Sequence, residues 1–274
     1  MLFSQHLVIL RGGGDLATGV AYRLHNAGFP IIVLELERPL VVRRQVALAT
    51  AVLQNQITIE TLHAQRANSV AQAMVLIQQS IMPVLVAPEL SVINPKSKIE
   101  NRKSKILIDA RMAKRNIDTN IDQAELVIAL GPGFTAGTDC HAVIETMRGH
   151  HLGRVIWEGA AIPNTGTPGI VAGKGAERVL RAPVSGEVSW RVEIGDLVQK
   201  GQIIGDVSGK TVAAPFAGVL RGLIAPGIEI PAGYKIGDLD ARADREACFT
   251  ISDKALSIGG GVLEAVLTHL NQQL

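Results

Sequence analysis

The sequence predicts an α/β protein whose larger part is a Rossmann-like, doubly wound parallel sheet and whose smaller part is a β module. Three observations predict it. The core-forming residues are aliphatic, since 47% of the 274 residues are hydrophobic but only 3% aromatic, which suits parallel strands buried under helices on both faces. The chain opens with an apolar run, a glycine loop, an amphipathic stretch and a second apolar run, the order of a βαβ unit. Further on, a motif recurs 32 residues after its first occurrence, the mark of two equivalent half-units.

The first βαβ unit comprises the apolar residues 7–10, then Arg11-Gly12-Gly13-Gly14-Asp15-Leu16-Ala17-Thr18-Gly19, then a helical pattern that ends near Gly28. Gly12, Gly14 and Ala17 meet the relaxed dinucleotide fingerprint, in which small residues let the backbone approach a phosphate. The next apolar run, 31–34, ends at Glu35, 21 positions after Gly14, where an acid can bind a ribose hydroxyl. Gly12, Gly13, Gly14, Asp15 and Glu35 are therefore candidates for holding a cofactor. The alternative is a turn in which the glycines serve geometry and Asp15 caps the helix.

Strands are expected at 57–61, 83–87, 106–109, 126–130 and 154–157, and helices at 42–53 and 69–79. Alternating strands and helices imply parallel pairing through right-handed crossovers. In such a sheet ligands bind beyond the carboxyl ends of the strands, where the strand order reverses. Three strand ends carry the expected signals: the Gly12 loop, the stretch from Asp109 to Arg115, and the stretch from Gly131 to His141. Asp109 reads either as a ligand to a cation or hydroxyl or as a cap; Arg111 and Lys114, with Arg115, read as anion contacts or surface charge. Asp109, Arg111, Lys114 and His141 are the catalytic candidates, and Gly131 and Gly133 join the cofactor-binding set. His141 and Glu145 are four apart in a stretch that reads as helix, with Asp139 just before, so all three are candidate metal ligands. Cys140 reads as a buried thiol or a nucleophile.

The 32-residue repeat places Ala182-Pro183-Val184-Ser185-Gly186 against Ala214-Pro215-Phe216-Ala217-Gly218, and Ile204-Gly205-Asp206 against Ile236-Gly237-Asp238. Two such halves resemble the lipoyl and biotinyl carrier modules, whose barrel-sandwich halves bury their apolar faces against each other. Carriers present a modified lysine at the hairpin between the halves. The lysine there is Lys210, without flanking methionines and in a short hairpin, so neither lipoate nor biotin is expected. The domains are expected at 1–178, 179–246 and 247–274, the last a helix returning to the first domain. Its Gly259-Gly260-Gly261 run either starts the helix proper, with amides free for an anion, or is a packing contact.

The segments around Gly12, Asp109 and Gly131, together with His141-Ala142-Val143-Ile144-Glu145-Thr146, Arg148-Gly149-His150, Cys248-Phe249-Thr250-Ile251-Ser252-Asp253-Lys254 and Gly259-Gly260-Gly261-Val262-Leu263-Glu264-Ala265, resemble the signature segments of the YqeB-type family. The resemblance spans residues 8–268. It implies an accessory or maturation role for selenium-dependent molybdenum hydroxylases, with looser kinship to the xanthine dehydrogenase accessory factors, which handle molybdenum cofactor. A molybdenum hydroxylase apoenzyme is then the implied partner, and a nucleotide or molybdenum-cofactor-type, phosphate-bearing small molecule the implied ligand. The alternatives are an NAD(P)-dependent oxidoreductase built on Gly12 and Glu35, and a non-catalytic scaffold docking through the β module.

The formal net charge of +2, from 27 basic and 25 acidic residues, makes nucleic acid an unexpected partner. The densest basic stretch, 96–105, reads as a solvated loop. Two cysteines, Cys140 and Cys248, exclude a disulfide framework. With neither a leader pattern nor a membrane-length apolar run, the expected location is the cytoplasm. The sequence leaves the oligomeric state open, a homo-oligomer included.

Overall fold

The structure is a computed structural model that describes residues 1–87, 90, 104–166, 169 and 172–273. The chain divides into two compact units, Met1–Pro39 with Leu48–Asn164 and Ile251–Leu274, and Leu40–Ala47 with Thr165–Thr250. Among the described residues no helix is long and apolar enough to cross a membrane.

The first unit is an α/β structure around a nine-stranded mixed sheet. Its strands are β1 (His6–Arg11), β2 (Ile31–Glu35), β3 (Gln56–Ile59), β4 (Leu62–Ala67), β5 (Met82–Val86), β6 (Ser104–Asp109), β7 (Leu126–Leu130), β9 (Ala142–Ile144) and β10 (Val155–Ile156); β8 (Thr135–Ala136) and β11 (Gly159–Ala160) pair separately. The sheet order is β10-β9-β7-β6-β1-β2-β5-β4-β3, parallel from β9 to β4 with antiparallel strands at both edges. Since β1 pairs β2 on one side and β6 on the other, the order reverses at β1. In open α/β sheets ligands bind at such a reversal, beyond the carboxyl ends of the strands, here β1 and β6.

Helix α1 (Asp15–Asn26) connects β1 to β2, and α3 (Val70–Gln78) connects β4 to β5. The two crossovers run in opposite directions along the sheet, so right-handedness puts the helices on opposite faces. Ser69 caps α3 by accepting the Gln72 amide at 3.1 Å. On that face Leu7, Ile9, Ile32 and Leu34 share a core with Ala73, Met74, Leu76 and Ile77. On the other, α1 lies against α4 (Asp253–Asn271), capped by Ser252.

Three expectations fail. The apolar stretch 42–53 is not one helix: a 3₁₀ turn, Arg44–Val46, belongs to the second unit, and only α2 (Thr50–Gln54) is helical in the first. The two ends of the stretch pack in different units, so no single helix serves both. The stretch from His141 to Glu145 is not helical: its centre is the buried strand β9 (Ala142–Ile144), because a short Ala-Val-Ile run between two strands gains more from the ladder than from an isolated helical turn. Of the two readings of glycines 259–261 the packing contact is the one observed: α4 runs through them without a break, with Gly259 and Gly261 against the Gly19 and Gly153 backbones. In the basic stretch, residues 96–103 lie outside the described residues, whereas Lys105 is buried in β6 rather than solvated.

The second unit holds two four-stranded antiparallel sheets, β12-β19-β17-β14 and β16-β15-β13-β18. Its strands are β12 (Val179–Arg181), β13 (Gly186–Trp190), β14 (Leu197–Val198), β15 (Ile203–Val207), β16 (Lys210–Ala213), β17 (Gly218–Leu223), β18 (Glu229–Ile230) and β19 (Lys235–Asp240). Val188, Ile204, Val219, Leu220, Leu223 and Ile236 lie in its own core. Lys210 opens β16 after the two-residue turn Ser208-Gly209, both with positive φ.

Candidate functional site at the reversal of strand order

At the ends of β1 and β6, Arg11 and Asp109 are register partners and both are 1% exposed. They do not bond each other directly. The Asp109 carboxylate accepts from Arg111 Nη2 at 2.6 Å and from the Thr119 hydroxyl at 2.6 Å. The Thr119 oxygen in turn accepts from Arg111 Nη2 at 3.1 Å and Arg11 Nη1 at 3.4 Å. Asp118 completes the group, its two oxygens 2.8 Å from the two terminal nitrogens of Arg11, with one of them also 2.7 Å from Arg111 Nη2. Two guanidinium and two carboxylate groups thus balance around one hydroxyl. Burying charge at a strand end is tolerable only with such pairing.

Asn116 extends the network by donating to the Thr119 carbonyl and to Asp139, whose other oxygen accepts the Thr135 amide. Asp139 therefore braces the β7–β9 connection against the β6 loop. Glu145, at the end of β9, is buried and accepts the Met147 and Ile162 amides. His141 lies level with Val127, and its Nδ1 accepts the Val127 amide at 3.0 Å. Burial lowers its pKa, followed by the charge of His269, while Asp122 opposes. As strand positions four apart, His141 and Glu145 are separated by about 13 Å along the chain, too far to share one ion. Among the described residues no group of three His, Cys, Asp or Glu is arranged to hold a metal. Cys140 is buried, with its thiol pushed up to about 12, first by desolvation and then by the charges of Asp139 and Asp109. That shift favours the thiol over the thiolate, the form that acts as a nucleophile.

Of the five candidate glycines, Gly12, Gly13, Gly131 and Gly133 serve close approach and Gly14 is open. A side chain at Gly12 would meet the backbone of Ala110 and Arg111, at Gly13 the Ala49 amide, at Gly131 the Thr146 side chain and at Gly133 the backbone of Arg115. At Gly14, the residue before α1, it would meet nothing within 4 Å. The Gly13 amide donates to Glu35 at 2.7 Å, and the other Glu35 oxygen accepts the Leu36 amide at 2.7 Å. Glu35 therefore braces the glycine loop. Desolvation raises its pKa against the two amide bonds.

The loop after β6 is tightly wound, Met112 and Lys114 both having positive φ. Lys254, in the first turn of α4, has its pKa lowered by burial and then by Lys114 and Arg148, with Asp15 and Glu145 opposing. Those five groups share one neighbourhood with the start of α1. Arg148 is anchored there by a bidentate pair with Asp253 at 2.8 and 2.9 Å. Sequence reasoning missed Arg11, Asp118, Thr119 and Lys254. Arg11 alone carried a usable signal, as an arginine that closes the apolar run 7–10.

Asp118 gives a pH prediction. Hydrogen bonding to Arg11, ahead of that to Arg111, lowers its pKa from 3.8 to about 2 although burial opposes. The folded state therefore binds the proton less readily than the unfolded chain. The stabilisation is complete above the unfolded value and is lost as pH falls from about 4 towards about 2. Urea unfolding across that range should show the loss, reduced by solvent screening, and Asp118→Asn should lack this component. An equal acid slope in both proteins would show that Asp118 does not contribute it.

These features define a two-unit α/β protein with a charged loop cluster at the reversal of its main sheet. No protein-family model matches the chain. The chain is 46% identical over 268 residues, 98% of its length, to the uncharacterized protein YqeB of Escherichia coli K12, and that similarity supports a YqeB-type family. It covers 48% of that protein, so the chain spans about half the length of this curated relative. A crystal structure of an aspartoacylase family protein from Mesorhizobium loti aligns with 86% of this chain and 85% of its own, at 12% identity and a TM-score of 0.28.

Proposed function

We propose that this protein is an accessory factor of selenium-dependent molybdenum hydroxylases that binds a phosphate-bearing nucleotide or molybdenum-cofactor-type ligand in the crevice between β1 and β6. The observation that carries the binding reading is the start of α1, where Gly14 has open space and Lys114, Arg148 and Lys254 gather near Asp15, the first residue of the helix. Backbone amides and a helix dipole favour an anion there, and the nearby cations add to that field. The accessory role rests on the resemblance to the YqeB-type family. The sheet order and opposed helices support the Rossmann-like description.

For the second unit we propose a lipoyl-like barrel-sandwich built from the 32-residue repeat. The starts of β13, β14 and β15 recur 32 positions later as the starts of β17, β18 and β19, which supports two equivalent halves. In the alternative reading the protein is a non-catalytic scaffold that docks the hydroxylase apoenzyme through this module.

Gly14→Val tests the ligand site. The residue has φ −67° and ψ 178°, an extended conformation that valine adopts readily, so the fold should persist with stability within about 0.5 kcal/mol. Calorimetric titration with NAD, NADP, ATP, GTP and molybdopterin nucleotides should show one of these binding to the wild type, and at least tenfold more weakly to Gly14→Val. Absence of binding by all of them, or equal binding by the variant, makes the loop structural.

A further inference from the structure

A buried arginine at the end of a central parallel strand needs a permanent counter-charge. Arg111 has one in Asp109, which is 1% exposed and fixed by the end of β6. The counter-charge of Arg11 is Asp118, 107 positions away, on a segment without helix or strand and 49% exposed. Its carboxylate spans both terminal nitrogens of Arg11, with a third contact to Arg111. An anion presenting two oxygens to paired guanidinium groups is the way ligand carboxylates and phosphates are bound by arginines. The two arginines have further partners besides Asp118: Arg111 is held by Asp109, and both touch the Thr119 hydroxyl. Without Asp118 the seat keeps those contacts and carries a net positive charge.

From this arrangement we propose that Arg11 and Arg111 form a binding seat for a carboxylate or phosphate group, and that Asp118 is a resident stand-in which such a group displaces. Arg11 directly precedes Gly12, and the Arg111 backbone packs against Gly12, so the seat is built on the same strand ends as the glycine loop. This deepens the proposed ligand site and rests on an anionic ligand entering that crevice. Displacement costs the Asp118 pairing, so the seat admits ligands selectively and releases Asp118, with its loop, when filled. The strong preference of Asp118 for its charged form fits a carboxylate seated on two guanidinium groups.

Asp118→Ala is the direct test, with inorganic phosphate and acetate as probes at constant ionic strength maintained with chloride. The variant should be less stable than wild type in chloride alone and recover stability as phosphate or acetate is added. Its affinity for one of the two should exceed the wild-type value at least tenfold, and which one distinguishes a phosphate seat from a carboxylate seat. Adding Arg111→Gln should remove the gain, whereas adding Gly14→Val should leave it. A loss of stability that neither anion rescues, or a gain that survives Arg111→Gln, overturns the proposal. Should Asp118→Ala not fold, hydrogen exchange on the wild type decides the matter. Amides of residues 116–123 should exchange faster in saturating phosphate or acetate than in chloride, and unchanged exchange in both anions overturns the stand-in. If the seat gains anion affinity while no nucleotide binds the wild type, the seat stands and the proposed ligand class falls.

Discussion

Replacing Asp109 with alanine should destabilise the protein by about 3 kcal/mol, the cost of leaving a mostly buried charge without its partner. Taken as a strand-end polar residue on sequence alone, Asp109 would cost about 1–2 kcal/mol. The structure raises that figure because its carboxylate, 1% exposed, is the main acceptor for Arg111 and also takes the Thr119 hydroxyl. Its loss leaves two guanidinium groups facing Asp118 alone, which is half in water. Asp109→Asn should cost less, since the amide oxygen still accepts from one donor. Urea unfolding of the three proteins at neutral pH measures both differences. A loss below about 1 kcal/mol for alanine would show that the network tolerates solvent and is not what holds the β6 loop.

The sheet was legible in the sequence wherever an element carries its own periodicity. β1, the glycine loop, α1, β2 and the terminal Glu35 lie in one continuous stretch, and the aliphatic runs of β6 and β7 admit no amphipathic alternative. The strand order was not legible, because nothing local says that β1 sits between β2 and β6. The same limit hid the core of the site. Arg11 and Asp118 meet across 107 positions, and neither has a neighbour in sequence that betrays the pairing.

Errors of the opposite kind came from spacings that two structures satisfy. Four residues from His141 to Glu145 make one turn of helix, yet also one face of a short strand, and burial of Ala142, Val143 and Ile144 between β7 and β10 selects the strand. Glu35 closes β2, as its distance from Gly14 suggested. Its contacts with the Gly13 and Leu36 amides were not legible, because no local pattern shows which amides engage the two Glu35 oxygens.

The glycine run in α4 gives the other large effect, and it divides within three consecutive positions. Gly19 on α1 lies against Ala255 and Gly259, and Gly259 also meets Arg23, so α1 and α4 run side by side in the same direction. A side chain at Gly259 would overlap the Gly19 carbonyl, and at Gly261 the Gly153 carbonyl, both backbone atoms that cannot rotate away. At Gly260 it would meet nothing within 4 Å. Gly259→Ala and Gly261→Ala should each cost about 2–3 kcal/mol by forcing the backbones apart. Gly260→Ala should instead stabilise by about 0.5–1 kcal/mol, because alanine loses less backbone freedom in a helix interior. Denaturant midpoints for the three single variants decide it. Stabilisation at all three positions would show that α4 does not lie this close to α1 and β9. Destabilisation at Gly260 equal to that of its neighbours would mean that its open face is covered in solution. Because Lys254 lies one turn before this contact, spreading the helices at Gly259 should also shift the start of α4 relative to that of α1. Ligand affinity should then fall in Gly259→Ala and stay at the wild-type level in Gly260→Ala.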